Sequence, residues 1–395
     1  MSDPARFRQI VWPLAFGETL VWAAFYYAFP ALLPTWEQAL GWSKTELTGA
    51  FTLSLLVSAL AAPFAGRLID RGYARQVFAG GALLGVLMLL LLSQVSALWQ
   101  FYGVWIGLGL AMASTLYEAC FAILVLAMGP SARRAITLVT LVAGFAGTIA
   151  FPATYVLTAL IGWRGTVAVF ALVVLLLAVP LIWIGCRRAE GAGDSHAQVA
   201  SARPGQALAV ARSATFWLIA VAFAMIALDY SMIVTHVLPI LDDRGVHPEV
   251  AVIAASMIGP MQVAGRLAMM VAERNVSTRV ISLGCFIVLA VAAAALFGAG
   301  AVPGLVVGFI VLLGAGVGVE SIIKPLVTAD LLGRHDFGIV SGMIAVPSIG
   351  IAALAPIVAA LLWDAGGYDL VILAALAAAL IGLMALAAAF RAAAR

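Results

Sequence analysis

The chain has 395 residues, 65% of them hydrophobic and only 10% charged, with a mean hydropathy of +1.13 and a formal net charge of +3. Soluble domains hold roughly 45–50% apolar and about 25% charged residues, so a water-soluble fold is excluded, and the small positive charge carries no signal for nucleic acid. The apolar segments are long and continuous, without the alternation of a membrane barrel, which leaves helices spanning a lipid bilayer.

A spanning helix needs about 20 mainly apolar residues. Twelve segments qualify, near 10–34, 47–69, 77–95, 98–127, 136–161, 164–186, 214–240, 250–272, 279–299, 302–331, 337–362 and 369–390. The first is too long for the core of a cleavable signal peptide and reads as an uncleaved span. It carries Glu18, followed by Trp22, Tyr26 and Tyr27. A charge in the hydrocarbon core costs at least ~2.5–3.5 kcal/mol on insertion scales, so Glu18 is expected to face the protein interior. The turn after the second segment reads Gly66-Arg67-Leu68-Ile69-Asp70-Arg71-Gly72-Tyr73-Ala74-Arg75.

That turn resembles the G-x-L-x-D-R-x-G-x-R signature of the major facilitator superfamily, which lies between the second and third helices, with Gly72 displaced to follow Arg71 directly. Taken with twelve spans and a central polar loop, the resemblance covers essentially the whole chain. It implies an all-α integral membrane fold of two pseudo-symmetric six-helix bundles, whose first, fourth, seventh and tenth helices line a substrate cavity. It also implies that the motif latches the cytoplasmic side in one state. Asp70 at a helix end can pair with Arg71, with Arg75 or with the start of a helix from the other half, and such a pair must break on opening. Gly66, Asp70, Arg71 and Arg75 are therefore gating candidates, against the plainer reading of a solvated basic loop.

Further along, Gly103 and Gly107 in the fourth segment are spaced for close helix packing, and Tyr117-Glu118 lies in its lower half. Residues 187–213 are rich in Ala, Gly, Ser and Arg and form the long polar connection, so the expected organisation is a bundle at 1–186, a cytoplasmic linker and a second bundle at 214–395. Asp229-Tyr230 sits near the middle of the seventh segment, with His236 towards its end as a relay or a satisfied polar residue. In the eighth, Gly265-Arg266 precedes Glu273-Arg274, which places Arg266 about 10 Å deep at 1.5 Å per residue. Glu273 and Arg274 join the gating candidates as counterparts of Asp70 and Arg71. A Gly-Arg pair here resembles that of the oxalate and monocarboxylate carriers, where the arginine meets the substrate carboxylate. The resemblance implies the same contact for Arg266, and a planar guanidinium suits a carboxylate. Those monocarboxylate carriers place an acid four residues earlier, where this chain has Gln262, and a lysine in the first helix, where this chain has Glu18 as the sole charge. In the tenth segment Glu320 and Lys324 share a face one turn apart, ahead of Pro325. They read either as flanking a hinge or as a structural ion pair. Gly314 and Gly318 are again spaced for close packing.

The halves align on each other. Asp70-Arg71 matches Glu273-Arg274 at an offset of 203, Glu118 matches Glu320 at 202, and Gly129, Pro152 and Gly162 match Gly333, Pro356 and Gly366 at 204. Sixteen basic residues fall at one set of helix ends, and only Lys44, Arg164 and Arg244 at the other. Basic residues favour the cytoplasmic side of short loops, so both termini are expected there. Cys120, Cys186 and Cys285 all lie in apolar helices and read as packing residues.

No phosphate loop, no H-E-x-x-H pair and no clustered histidines occur, so no enzyme activity, metal or cofactor is expected. The expected function is secondary transport by alternating access of a small organic anion such as a monocarboxylate, proton-linked or by exchange. Arg266, Tyr26, Tyr117, Gln262 and Lys324 are the candidate substrate contacts, and Glu18, Glu118, Asp229 and Glu320 the candidate proton-coupling acids. Efflux of a cationic or amphipathic compound is the alternative, favoured by four intramembrane acids against two bases. A monomer is the family's habit. Nineteen Arg to two Lys point to a GC-rich bacterium and its inner membrane.

Overall fold

A computed structural model describes residues 4–190, 206–272 and 275–393, and every regular element among them is helical. We number the long helices α1 (4–40), α2 (Lys44–Leu68), α3 (Ala74–Leu92), α4 (Leu98–Met128), α5 (132–161), α6 (163–190), α7 (Ala214–Thr235), α8 (Pro248–Ala272), α9 (Thr278–Gly298), α10 (Leu305–Leu332), α11 (337–365) and α12 (368–392). Among the described residues, eight continuous helical runs are long and apolar enough to cross a bilayer, and three of them hold two spans each. Trp, Tyr, Pro and Glu residues dilute the apolar run of α1, which supplies the remaining span.

Glycines end the helices where the chain must turn back. Gly72 (φ 89°) separates α2 from α3, Gly162 (φ 71°) separates α5 from α6, and Gly367 (φ 70°) separates α11 from α12. Side chains with a Cβ rarely adopt such angles. The matched pair Gly129 and Gly333 stands at the ends of α4 and α10 with positive φ in both, and Gly41 and Gly245 have positive φ after α1 and after the short helix Val237–Asp243 that follows α7. Much of the repeat visible in the sequence is thus a repeat of turn positions. Three helix starts carry hydroxyl caps: Ser43 and Glu46 form a reciprocal capping box at α2, and Ser213 and Ser277 accept from Phe216 and Val280 N–H at α7 and α9.

Two compact units result. The first takes the described residues up to Ala207 together with Arg334–Met343, and the second takes the described residues from Leu208 to Gly333 and from Ile344 onward. The first residues of α11 therefore pack with the first unit and its remainder with the second. In the first unit α4 crosses α2 where Gly109 meets the Ser54 backbone, and Phe29, Trp36, Phe101 and Trp105 form an aromatic core. In the second, α8 and α10 approach through Gly265 against Ala315, Gly314 against Met261 and Gly318 against Gln262, where a Cβ would meet neighbouring backbone or Cβ atoms. Arg244 pairs with Asp369 and so ties the α7–α8 connection to the start of α12.

Candidate substrate and coupling site

Two backbone irregularities meet in the first unit. Residues Trp22–Tyr27 of α1 form a π-helical turn, a feature that recurs at functional positions because it re-aims side chains and frees a carbonyl. Helix α4 is broken at Leu116, whose extended backbone (φ −91°, ψ −172°) divides it into Leu98–Thr115 and Tyr117–Met128. The Trp22 and Tyr117 rings touch across these two sites at 4.8 Å. Tyr26 lies 5.0 Å from Trp22 and 5.3 Å from Phe51, and Tyr117 stacks on Phe121 at 5.0 Å. At such separations the rings pack on each other, so they make a wall and leave no cage between them. Behind it, Ala23, Ala146 and Ala150 are small enough to let α1 and α5 close up under Trp22 and Tyr27.

Glu18 is fully buried one turn before this wall. Its Oε1 accepts a hydrogen bond from Trp22 Nε1 at 3.2 Å, and its Oε2 has no hydrogen-bond partner among the described residues. Glu118 is placed differently. It stands in the first turn of the lower half of α4, where an acid complements the helix dipole, and accepts from Ser341 Oγ at 2.9 Å.

Ser341 belongs to the beginning of α11, and the motif turn holds the same segment. Both Asp70 carboxylate oxygens are used: Oδ1 accepts from Gly338 N–H at 2.8 Å and Oδ2 from Ile339 N–H at 2.9 Å. These are orphan donors of a helix N-terminus, and a carboxylate there gains from charge-assisted bonds and from the dipole together. The helices cross so closely that a Cβ on Gly66 would fall on the Gly338 carbonyl, and one on Gly342 on the Pro63 backbone. Of the three partners open to Asp70 in the sequence, the start of α11 is therefore the one engaged. Arg75 instead faces α6: its backbone N–H donates to Glu190 Oε1 at 3.2 Å, its Nε lies 3.7 Å from Oε2, and its guanidinium covers Trp183 at 4.6 Å. Arg71 is exposed.

In the second unit, Asp229 on α7 is fully buried and neither carboxylate oxygen has a partner among the described residues. Arg266 is 6% exposed, and its Nε donates to the Gly318 carbonyl at 3.3 Å, an oxygen that also accepts from Ser321 Oγ at 2.9 Å. It forms no ion pair with a described residue. Gln262, one turn before Arg266, contributes backbone to the Gly318 crossing. Glu320 and Lys324 are half-buried on α10, and the Lys324 carbonyl accepts from Thr328 Oγ1 at 2.9 Å. His236 lies beside the Tyr368 ring at 6.1 Å. Glu273 and Arg274 fall outside the described residues. A cavity of about 450 Å³ runs along α8 and α10 from Gly245 to Met261, lined almost wholly by aliphatic side chains. No group of His, Cys, Asp or Glu suited to a metal ion occurs among the described residues.

Sequence reasoning missed the π-turn, the break at Leu116 and the partners Ser341 and Glu190. The run Trp22-Ala-Ala-Phe-Tyr-Tyr27 offered a weak signal in its aromatic density. Leu116 offered none, having neither Gly nor Pro beside it.

Over residues 14–346 the sequence matches the Major Facilitator Superfamily. The chain belongs to this superfamily. It is accordingly an integral membrane transporter of small molecules with the twelve-helix fold of that family. Among solved structures it is similar to the transporter FucP in the outward conformation (TM-score 0.75, 13% identity, 97% of this chain and 99% of that one). It is also similar to a bacterial homologue of the iron transporter ferroportin in the outward-facing state with soaked iron (TM-score 0.73, 13% identity, 96% and 99%). At these identities the likeness concerns the fold alone. No curated protein matches the sequence.

Proposed function

We propose that this superfamily member is a secondary transporter of a small organic anion, such as a monocarboxylate, working by alternating access with proton coupling or exchange. Arg266 carries the reading: a guanidinium buried to 6% exposure, holding a backbone carbonyl and no carboxylate of the described chain. Desolvating a charge costs several kcal/mol unless it is paired, and a substrate carboxylate taken bidentately by the remaining N–H groups supplies that pair. Lys324 and Gln262 are further candidate contacts, and Tyr26 and Tyr117 offer an apolar wall. Glu18 and Asp229, each with open carboxylate oxygens, are the foremost coupling acids. Glu118 and Glu320 follow, and the bond from Ser341 gives Glu118 a structural duty as well. The Asp70 cap on α11 is the latch that must open in each cycle, with Arg75 anchoring the turn to α6. The excess of basic residues at one set of helix ends supports cytoplasmic termini in a bacterial inner membrane, and the family's habit supports a monomer with two six-helix halves as the moving bodies.

A second reading, efflux of a cationic amphipath, draws on Glu18 beside the aromatic wall, since ring faces and acids both attract cations. Thermal-shift measurements on purified protein decide between them, because a ligand of the native state raises its apparent stability by mass action. The anion reading expects stabilisation by a mono- or dicarboxylate in the wild type and none in Arg266→Ala. Stabilisation by lipophilic cations, unchanged in Arg266→Ala, overturns it.

A further inference from the structure

The turn between α3 and α4 carries a lipid-facing groove with a cation at its lip. A row of large apolar side chains, Leu83, Leu87, Leu90 and Leu91 on α3 with Trp99, Ile106 and Leu110 on α4, is 38–75% exposed. In a chain of this hydropathy such a face meets hydrocarbon. Into it opens a cavity of about 350 Å³ lined by Met88, Leu91, Val95, Trp99, Gly103 and Val104 together with the amides Gln94 and Gln100, with no acid in the lining. Gly103 leaves open space on the cavity side of α4. Its partner in the glycine pair, Gly107, has Met88 packed against it, but Gly103 meets nothing within 4 Å of where a Cβ would stand. Gly107 thus serves helix packing, as the spacing predicts, and Gly103 does not.

Arg164, at the start of α6, reaches this groove. Its Nη2 donates to the carbonyl of Val95, a lining residue, at 2.7 Å, and its guanidinium stacks on Trp163 at 4.1 Å. It is exposed, forms no ion pair with a described residue, and is one of three basic residues at this set of helix ends. Of the other two, Arg244 is tied to Asp369, and Lys44 stands at the start of α2. A cation retained on the side that basic residues avoid, at the lip of a largely apolar groove, matches an anionic amphiphile. We propose that this groove is a binding site for an anionic phospholipid, with an acyl chain along Gly103 and Met88 and the headgroup phosphate on Arg164. The acyl chain fills space that a bilayer does not leave empty, and the phosphate accepts the guanidinium N–H groups that Val95 leaves over.

Native mass spectrometry of delipidated protein in mild detergent tests this with phosphatidylglycerol and phosphatidylcholine of identical chains. Wild type is expected to retain phosphatidylglycerol about fivefold better, the value of one arginine near a charged headgroup. Arg164→Gln should reduce that preference to about one, and Arg164→Lys should keep most of it, which separates charge from the hold on Val95. Gly103→Phe, where a side chain meets open space, should lose both lipids while its lipid-free melting temperature stays at the wild-type value. Equal retention of the two lipids by wild type, or undiminished phosphatidylglycerol on Gly103→Phe, overturns the proposal.

Discussion

The buried charges of the two units are housed in different ways. In the first unit the helices around Glu18 and Glu118 are irregular, with a π-turn at Trp22–Tyr27 and a break at Leu116, and each acid has a side-chain donor, Trp22 for Glu18 and Ser341 for Glu118. In the second unit α7 and α10 run regularly past Asp229 and Lys324, and Arg266 and Asp229 have one backbone partner between them. Irregular backbone is tolerated at membrane depth where it lines a cavity or is buried in protein. The first unit spends its distortion on fitting partners to its acids. The second leaves the Asp229 carboxylate without a partner among the described residues and Arg266 with a single carbonyl, so these two are open to groups from outside the chain.

The contrast can be broken most severely at Arg266. Arg266→Ala should lower the initial rate of uptake into proteoliposomes on the order of 100-fold, the cost of removing one member of a buried charge pair. Arg266→Lys should recover part of it, since the charge remains and the planar fork does not. A rate within twofold of wild type for Arg266→Ala would assign the arginine to packing. Next in size, Asp229→Asn should abolish accumulation driven by an imposed pH gradient and leave counterflow exchange within about threefold of wild type, because exchange needs no net proton movement. If Glu18→Gln does this and Asp229→Asn does not, the coupling acid lies in the irregular unit and the contrast between the units fails.

A smaller effect is expected at the latch. Asp70→Ala removes the cap from Gly338 and Ile339, worth about 1 kcal/mol by analogy with other N-caps. It should raise the alkylation rate of a cysteine placed at Val340, which is 2% exposed, about fivefold. An unchanged rate would show that the cap does not hold α11. Smallest is Trp22→Phe, which keeps the aromatic wall and deletes the hydrogen bond to Glu18, a loss of about 1 kcal/mol. Scanning calorimetry should register it as a drop of about 1–2 °C in the unfolding temperature. A larger fall would give Trp22 a packing role beyond the bond.

The spans were readable because continuous apolar stretches of the right length have few other uses, and Gly129, Gly162 and Gly333 because a helix end that turns back needs positive φ; Gly366, matched to Gly162, is extended, and its neighbour Gly367 makes the turn. The motif turn announced that Asp70 has a partner. It could not say which, because Arg71, Arg75 and a distant helix start all offer positive charge, and only the fold brings Gly338 under the carboxylate. The motif groups Arg75 with Asp70, whereas its engagement with Glu190 and Trp183 joins residues more than a hundred positions apart. Gly103 and Gly107 looked alike at the level of spacing, yet Met88 reaches one and not the other.

By itself, then, the sequence determined that this protein lives in a bilayer, where its helices turn, and which residues carry charge into hydrocarbon, since these depend on local composition and on the cost of burying charge. The tertiary structure alone decided which charges are met by the chain and which are left open. Burial and hydrogen-bond partners depend on which helices lie side by side, and no local pattern around Glu118, Asp70 or Arg266 contains Ser341, Gly338 or Gly318.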